Sequence, residues 1–336
     1  MPQVSVLLPV YNAAATLVRA VDSIRRQTFA DWELIAVDDG STDGSRAVLE
    51  APARAGPRMR LLAQTHGGVV AALNAGLAAA RGDFIARMDA DDASHPERLA
   101  EQVRFLESNP AIGLTGCLVE YGGNRIVNAG YARHVDWLNA LVAPEQIELN
   151  RFVESPFAHP SVMFRRELVL RHGGYRPGGF PEDYEMWLRW LDAGVRMAKV
   201  PRTLLTWHDS PGRLSRADPR YAAEAFYRLK AEWIARAVTR DRRGRPLFVW
   251  GAGRRTRQRA AYLGAHGLEI AGYIDIDPRK TGRRLGHRPV VAPDEIPAPG
   301  KVFILGYVAK RGARELIREH LAARGHVEGR DFLIGA

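Results

Sequence analysis

Four short apolar runs, each separated from the next by a helix-spaced or turn-rich segment, constrain the fold more than any other feature of this chain. Residues 4–10 (Val4 to Val10) are apolar apart from Ser5 and Pro9. Trp32 to Val37, Arg58 to Ala63 and Phe84 to Met88 are the next runs. Between them, Asn12 to Gln27 places Leu17, Val21 and Ile24 at helical spacing, Thr42 to Glu50 reads as a short helix, and Gly68 to Ala80 is an Ala-rich helix stopped by Arg81-Gly82. Near-continuous apolar strands are buried on both faces, and strands alternating with helices make βαβ units. The chain therefore predicts an α/β fold with a mostly parallel sheet flanked by helices.

The pattern changes downstream. Residues 111–180 mix short apolar runs with Gly, Pro and Asn, and no long helix stands out. Glu182 to Ala193 reads as a helix carrying Tyr184, Trp187 and Trp190, and Tyr221 to Val238 as a basic amphipathic one. Arg240 to Pro246 reads as a linker. A second α/β pattern opens at Leu247-Phe248-Val249-Trp250-Gly251-Ala252-Gly253 and continues through strands Ile270 to Ile274 and Val302 to Leu305 and helix Ala313 to Arg324. The expected organisation is 1–220, then a helix and linker over 221–245, then a smaller α/β domain over 246–336.

Composition narrows the class. No apolar run reaches the ~18 residues of a membrane span, and the N-terminus enters a strand without a basic-then-apolar leader. The single cysteine, Cys117, lies in an apolar stretch and reads as core. A cytoplasmic address is expected. The net charge of +10 is uneven: residues 221–336 hold 23 Lys+Arg against 12 Asp+Glu, and residues 1–220 hold 25 against 26. Such asymmetry points to an anionic partner, with an Arg-rich but merely solvated surface as the alternative.

Chemistry-bearing residues fall where the apolar runs end, and open α/β sheets bind ligands at that edge. Asp89-Ala90-Asp91-Asp92 puts three carboxylates in four positions. Such a cluster suits a hard divalent cation, or else a helix cap or solvated turn. Pro9 and Tyr11 follow the first strand, and Asp38-Asp39-Gly40-Ser41 the second. A ring and a carboxylate there can hold a nucleobase, or form a capped turn. Glu182 and Asp183 open the aromatic helix; the helix dipole favours them, and either can take a proton from a hydroxyl. His208 can ligate a metal, and Arg213 and Arg216 can hold phosphate.

Taken in order, the pieces Val-Ser-Val-Leu-Leu-Pro-Val-Tyr-Asn, Val-Asp-Asp-Gly-Ser-Thr-Asp, Ala-Arg-Met-Asp-Ala-Asp-Asp-Ala-Ser-His-Pro-Glu-Arg, His159 to Phe164 and Glu182-Asp183-Tyr184 resemble family 2 glycosyltransferases of the GT-A fold. The resemblance covers roughly residues 2–216. It implies a nucleoside pocket at Pro9, Tyr11 and Asp39 with Asp38 close by. It implies Asp91 as direct ligand of Mn²⁺ or Mg²⁺, and Asp89 on ribose or metal. Asp92 would be structural, Asp183 the general base, Glu182 a support for that base or for the acceptor, and His208 a neighbour of the diphosphate and metal. The segment Val70 to Asn74 lacks the arginine that many members carry before the asparagine, so a diphosphate contact is either missing or supplied elsewhere, by Arg87 or Arg213.

The implied reaction is inverting transfer of a sugar from a nucleoside-diphosphate donor, UDP-linked, to a hydroxyl of a saccharide or lipid-linked acceptor in cell-surface polysaccharide synthesis. A single displacement needs no enzyme nucleophile. The 246–336 segment resembles small Rossmann-like modules, although Thr256 stands where a third glycine belongs. Its arginines suit docking, oligomerisation or contact with the inner membrane face. One rival is a nucleotidyltransferase; its Gly-rich cationic loop is absent from Tyr11-Asn12-Ala13-Ala14-Ala15. The other is a basic nucleic-acid-binding protein, against which stands the lack of an aromatic-rich basic strand motif.

Overall fold

A computed structural model describes residues 1–54, 56–209 and 213–336. They divide into two compact units: Met1–Ile147 with Pro156–Gly178 and Glu182–Asp218, and Glu148–Ser155 with Gly179–Pro181 and Pro219–Ala336. The first apolar runs become β1 (Val4–Val10), β2 (Trp32–Asp38), β3 (Met59–Ala63) and β4 (Phe84–Arg87), separated by α1 (Ala14–Arg25), α2 (Ser45–Arg54) and α3 (Val69–Ala79). There follow β5 (Ala93–Ser94), α4 (Arg98–Ser108), β6 (Ile112–Tyr121), α5 (Ala129–Ala140) and α6 (Pro144–Asn150). Then come β7 (Met163–Arg165), α7 (Arg166–His172), α8 (Glu182–Asp192), β8 (Arg196–Trp207) and α9 (Leu214–Ala217).

These strands form one eight-stranded sheet, ordered β3-β2-β1-β4-β7-β6-β8-β5. The β3-β2-β1-β4 half is wholly parallel, as the alternation predicts. The other half is mixed: β7 runs antiparallel to β4 and β6, β6 and β8 are parallel, and β5 is antiparallel to β8. β4, β6 and β8 therefore end on the same edge as β1 and β2. Helix α8 packs back before β8, which puts its first residues, Glu182 and Asp183, at that edge too.

Alternation along β1 explains the layering. Val4, Val6, Leu8 and Val10 face one core layer with Leu17, Val21 and Ile24 of α1. Leu7 faces the other, with Leu73 of α3 and Met186, Trp187 and Trp190 of α8. Cys117 is fully buried, as expected.

The second unit starts with α10 (Ala223–Arg242) and contains β9 (Leu247–Trp250), α11 (Arg254–Gly264), β10 (Gly272–Ile274), β11 (Arg284–Leu285) and β12 (Arg288–Val291). It closes with β13 (Phe303–Gly306), α12 (Ala313–Ala323) and β14 (Phe332–Ile334). Apart from the β11 hairpin the sheet is parallel, ordered β12-β10-β9-β13-β14. That is the doubly wound order, reversing between β9 and β13.

Two readings of the sequence need correction. Residues 240–242 are the last turn of α10 rather than linker, and Arg243 and Gly244 end it in the left-handed conformation. Within 111–180, α5 spans twelve residues; its buried stripe is only Ala132, Val135 and Leu138, too thin to stand out.

A buried carboxylate fixes the opposite edge of the first sheet. Glu33 on β2 accepts from Ser5 Oγ at 2.8 Å and from the Arg81 guanidinium at 2.7 and 3.1 Å. Burial raises its pKa, but the hydrogen bonds from Arg81 and Ser5 outweigh that and hold it below the ordinary range. The next residue, Gly82, donates its N–H to Ser5 Oγ at 2.9 Å. A Cβ there would lie 2.6 Å from Ser5 N and 2.8 Å from Val4 C, both backbone. Overpacking of this kind costs ~1–3 kcal/mol. Gly82→Ala is expected to lower the denaturation midpoint of the first unit accordingly, read by urea titration; an unchanged midpoint would remove the close-approach argument.

Candidate active site

The first two strands and the loops after them build one wall. Asp38 ends β2 and accepts the Ser41 N–H at 3.0 Å. Asn12 Oδ1 accepts the Thr42 N–H at 2.8 Å, and Ser45 Oγ and Asp43 accept the Ala13 and Ala14 N–H groups that open α1. The Asp-Asp-Gly-Ser-Thr-Asp segment thus caps a helix from a distance. Asp39, buried, accepts from Gln64 Nε2 (2.6 Å), Gly67 N–H (2.9 Å) and Gly68 N–H (2.8 Å), with His66 Nδ1 at 2.9 Å. It anchors the loop before α3. His66 then stacks on Tyr11, centroids 4.0 Å apart and 24° between planes. Gly40 permits this: it has φ +75°, and a Cβ would lie 2.8 Å from His66 N. Tyr11 is half exposed, and Pro9 pairs in register with Val37 beneath it. Sequence reasoning missed His66; nothing around it marks a ring partner for Tyr11.

The end of β4 holds the carboxylates. Oxygen atoms of Asp89, Asp91 and Asp92 lie within 4.8 Å of one another. Asp91 and Asp92 are both pushed above the carboxylate range, by burial first and then by the charge of Asp89. Asp92 Oδ2 is buried with no hydrogen-bond partner, while Oδ1 accepts the His208 N–H at 2.8 Å. Three oxygen donors with an unmatched buried oxygen fit a hard divalent cation. His208 is not in this group: its backbone joins Asp92, and its ring does not enter the set of ligand atoms. Arg19 of α1 donates to the Asp91 carbonyl at 2.7 Å. Arg87 is buried and held by Asp89 at 2.6 Å and by the Met88 carbonyl. Arg213 donates to the His208 carbonyl at 2.7 Å and lies over the Trp207 ring. Both arginines named as replacement diphosphate ligands are thus engaged, Arg87 the more deeply.

Glu182 and Asp183 open α8, whose first turn also holds Glu185. Asp183 Oδ1 accepts the Tyr184 N–H at 2.7 Å. Burial pushes the Asp183 carboxyl up to about 7, with the Glu182 charge adding and Arg87 opposing. Behind it sits a neutral pair: His159 Nε2 and Tyr175 Oη are 2.8 Å apart. Burial and the nearby Arg87 drive the His159 pKa well down; burial raises that of Tyr175. The His159 ring meets Trp187 edge-on at 6.0 Å, one turn along α8 from Asp183. Asn74 of α3 fixes Tyr175 from the other side, donating to its carbonyl at 2.9 Å and accepting its N–H at 3.1 Å. Tyr175 itself carried no sequence signal.

Two stacked rings, a carboxylate triplet and the raised Asp183 carboxyl are thus brought to one end of the sheet. The model of glycosyl transferase family 2 matches residues 5–173. The chain belongs to that family, and it is a glycosyltransferase. EpsE of Bacillus subtilis (strain 168), named as a glycosyltransferase, is 36% identical over 207 residues, 58% of this chain and 69% of that one. The amylovoran biosynthesis glycosyltransferase AmsE of Erwinia amylovora is 30% identical over 210 residues, 60% of this chain and 74% of that one. The S. aureus TarS 1-349 structure in complex with UDP superposes with a TM-score of 0.52 at 20% identity, covering 79% of this chain and 70% of that one. This last likeness concerns the fold.

The Asp183 carboxyl is expected to titrate near 7 in the ligand-free protein, followed by carboxyl-carbon NMR. Glu182→Gln removes a like charge, so the same titration should move downward. An upward or null shift would show that Glu182 does not act on Asp183.

Proposed function

We propose that this glycosyltransferase moves a sugar from a nucleoside-diphosphate donor, UDP-linked, to a hydroxyl of a saccharide or lipid-linked acceptor, with inversion. The observation that carries the reading is Asp183. Its carboxyl, held up to about 7 by burial, opens α8 at the same sheet edge as the carboxylate triplet. A base poised near working pH combines a usable ionised fraction with proton affinity. Asp183 takes the proton of the acceptor hydroxyl, and that oxygen attacks the anomeric carbon opposite the departing nucleoside diphosphate. Glu182 keeps the pair's proton affinity high. No enzyme nucleophile is needed, and Cys117 is buried with its thiol pushed up to about 11.

On this reading the Tyr11–His66 stack packs the base, with Pro9, Asp38 and Asp39 shaping the pocket. Asp91 and Asp89, with Asp92 beside them, would hold Mn²⁺ or Mg²⁺, which supplies charge neutralisation for the leaving diphosphate. The transferred group is a hexosyl or N-acetylhexosaminyl unit. Support for the donor comes from the fold shared with TarS, solved with UDP. Support for polysaccharide synthesis comes from AmsE, named for amylovoran biosynthesis. Among the described residues no helix is long and apolar enough to cross a membrane. We place the enzyme in the cytoplasm, touching the inner membrane face where lipid-linked acceptors lie, with residues 1–220 catalytic and 246–336 accessory.

Thermal shift with UDP, GDP, dTDP and CMP, each with Mn²⁺ and with EDTA, tests the donor class. A ligand at 100 times its Kd adds about 2.7 kcal/mol. UDP with Mn²⁺ is expected to stand out, and Asp91→Ala to abolish the metal-dependent part. Release of pyrophosphate instead of a nucleoside diphosphate would favour a nucleotidyltransferase. Asp183→Asn should lower turnover by ~10²–10⁴ with donor affinity nearly unchanged. In the parent enzyme kcat/KM should fall as pH drops through about 7, because the base is then protonated. A full-rate Asp183→Asn enzyme would falsify the base assignment.

A further inference from the structure

The second unit carries a charged face that the transfer reaction does not use. β9 and β13 lie side by side where the sheet order reverses, with Gly306 paired to Trp250. The loops that follow them are in contact. Tyr307 N–H donates to the Trp250 carbonyl at 3.1 Å, and a Cβ on Gly251 would lie 2.8 Å from Val308 Cγ2. Onto these loops the sequence loads Arg254, Arg255 and Arg257 from the first turn of α11, and Lys310 and Arg311 before α12. All five are exposed, and among the described residues none makes a side-chain hydrogen bond or ion pair. Acids of this region are matched: Asp275 holds Lys280 at 3.1 Å, Asp277 holds Arg279 at 3.1 Å, and Glu315 in the first turn of α12 lies 4.0 Å from Arg314. Between Asp275 and Asp277, Ile276 stands 77% exposed.

We propose that this face of the second unit docks on an anionic phospholipid surface, an inference that rests on the reading of a membrane-borne acceptor. Unmatched positive charge repels itself and is relieved by a surface of negative headgroups. An exposed aliphatic just after β10, Ile276, flanked by acids already paired to Lys280 and Arg279, suits the boundary between headgroups and acyl chains. A small phosphate ligand is the poorer fit, because the turn amide it would need, Ala252 N–H, is already donated to Asp275 Oδ2 at 2.8 Å. A nucleic acid is also the poorer fit, because the aromatic residues of this edge, Trp250 and Tyr307, are buried and offer no ring for stacking.

The test is co-sedimentation of the full chain with phosphatidylcholine vesicles, with and without phosphatidylglycerol, at two salt concentrations. Binding is expected only with phosphatidylglycerol and should weaken with salt. The charge-neutral triple variant Arg254→Gln/Arg255→Gln/Lys310→Gln should lose roughly a hundredfold in vesicle partition, with melting temperature and sugar transfer to a soluble acceptor unchanged. The triple Glu variant, at the same three positions, should lose more, and the Gln variant guards against misfolding. Glu-variant binding equal to the parent's would overturn this face while leaving membrane contact standing. A parent protein that transfers sugar but ignores anionic vesicles would overturn membrane contact itself. Binding to single-stranded RNA at the same salt, with none to vesicles, would make the face a nucleic-acid surface and overturn the proposal.

Discussion

One buried guanidinium lets so many carboxylates share the end of a sheet. Arg87 is 3% exposed and ion-paired to Asp89, and its charge also acts on Tyr175, Glu182 and Asp183. Burial works against that charge; Asp89 chiefly, with Tyr175 and Glu182, more than restores it. An unpaired ion in this position would be strongly destabilising. Arg98, fully buried, supports the strand end from below by donating to the Arg87 carbonyl at 2.9 Å. Asp91 and Asp92 are driven up by burial and by Asp89, while Arg87 and Arg213 pull Asp91 back. A divalent cation bound at this edge would favour the ionised form of these carboxylates.

The Asp-Asp-Gly-Ser-Thr-Asp segment shows how folding and binding divide one set of side chains. A carboxylate offers about four acceptor positions. Those of Asp39 meet donors from Gln64, His66, Gly67 and Gly68. A direct bond from Asp39 to a nucleobase needs one of those donors to yield. What Asp39 achieves as it stands is to set the His66 ring against Tyr11, making a flat apolar surface of the right kind for a base. Asp43 and Ser45 likewise spend their oxygens on helix starts. The loops after β1 and β2 are thus held from behind by the residues that the sequence offered for binding.

The legible and illegible parts differ physically. Strands β1, β2 and β4 stood out because burial on both faces leaves nearly continuous apolar runs, and the edge strand β3 through Met59, Leu61 and Leu62 although it is only partly buried. Helix α8 stood out through its aromatic stripe. β8 did not, because its twelve residues alternate irregularly, include Pro201 and pair with β6 through shifts in register. The carboxylates were legible as candidates because three in four positions need a reason to coexist. His66, Tyr175 and Asn74 were not, since each acts through a partner distant in sequence: Tyr11, His159 and the Tyr175 backbone. His208 was legible chiefly through the family resemblance; its backbone N–H meets Asp92, and its ring remains a proposed neighbour of the diphosphate and metal.

The raised carboxyl of Asp183 follows from the company that α8 keeps rather than from the helix end alone. A helix N-terminus favours a carboxylate and lowers its pKa. Arg87 pulls the same way. Burial and Glu182 overcome both, and a protonated His159 would have tipped the balance back. His159 sits behind the helix against Trp187, with its pKa driven down by burial and by Arg87. Its hydrogen bond to Tyr175, itself bracketed by Asn74, holds the ring without giving it a charge. The guanidinium that pairs with Asp89 thus also helps keep this imidazole neutral. One buried charge reaches both halves of the site, ion-paired to Asp89 on one side and opposing the rise of the Asp183 carboxyl on the other.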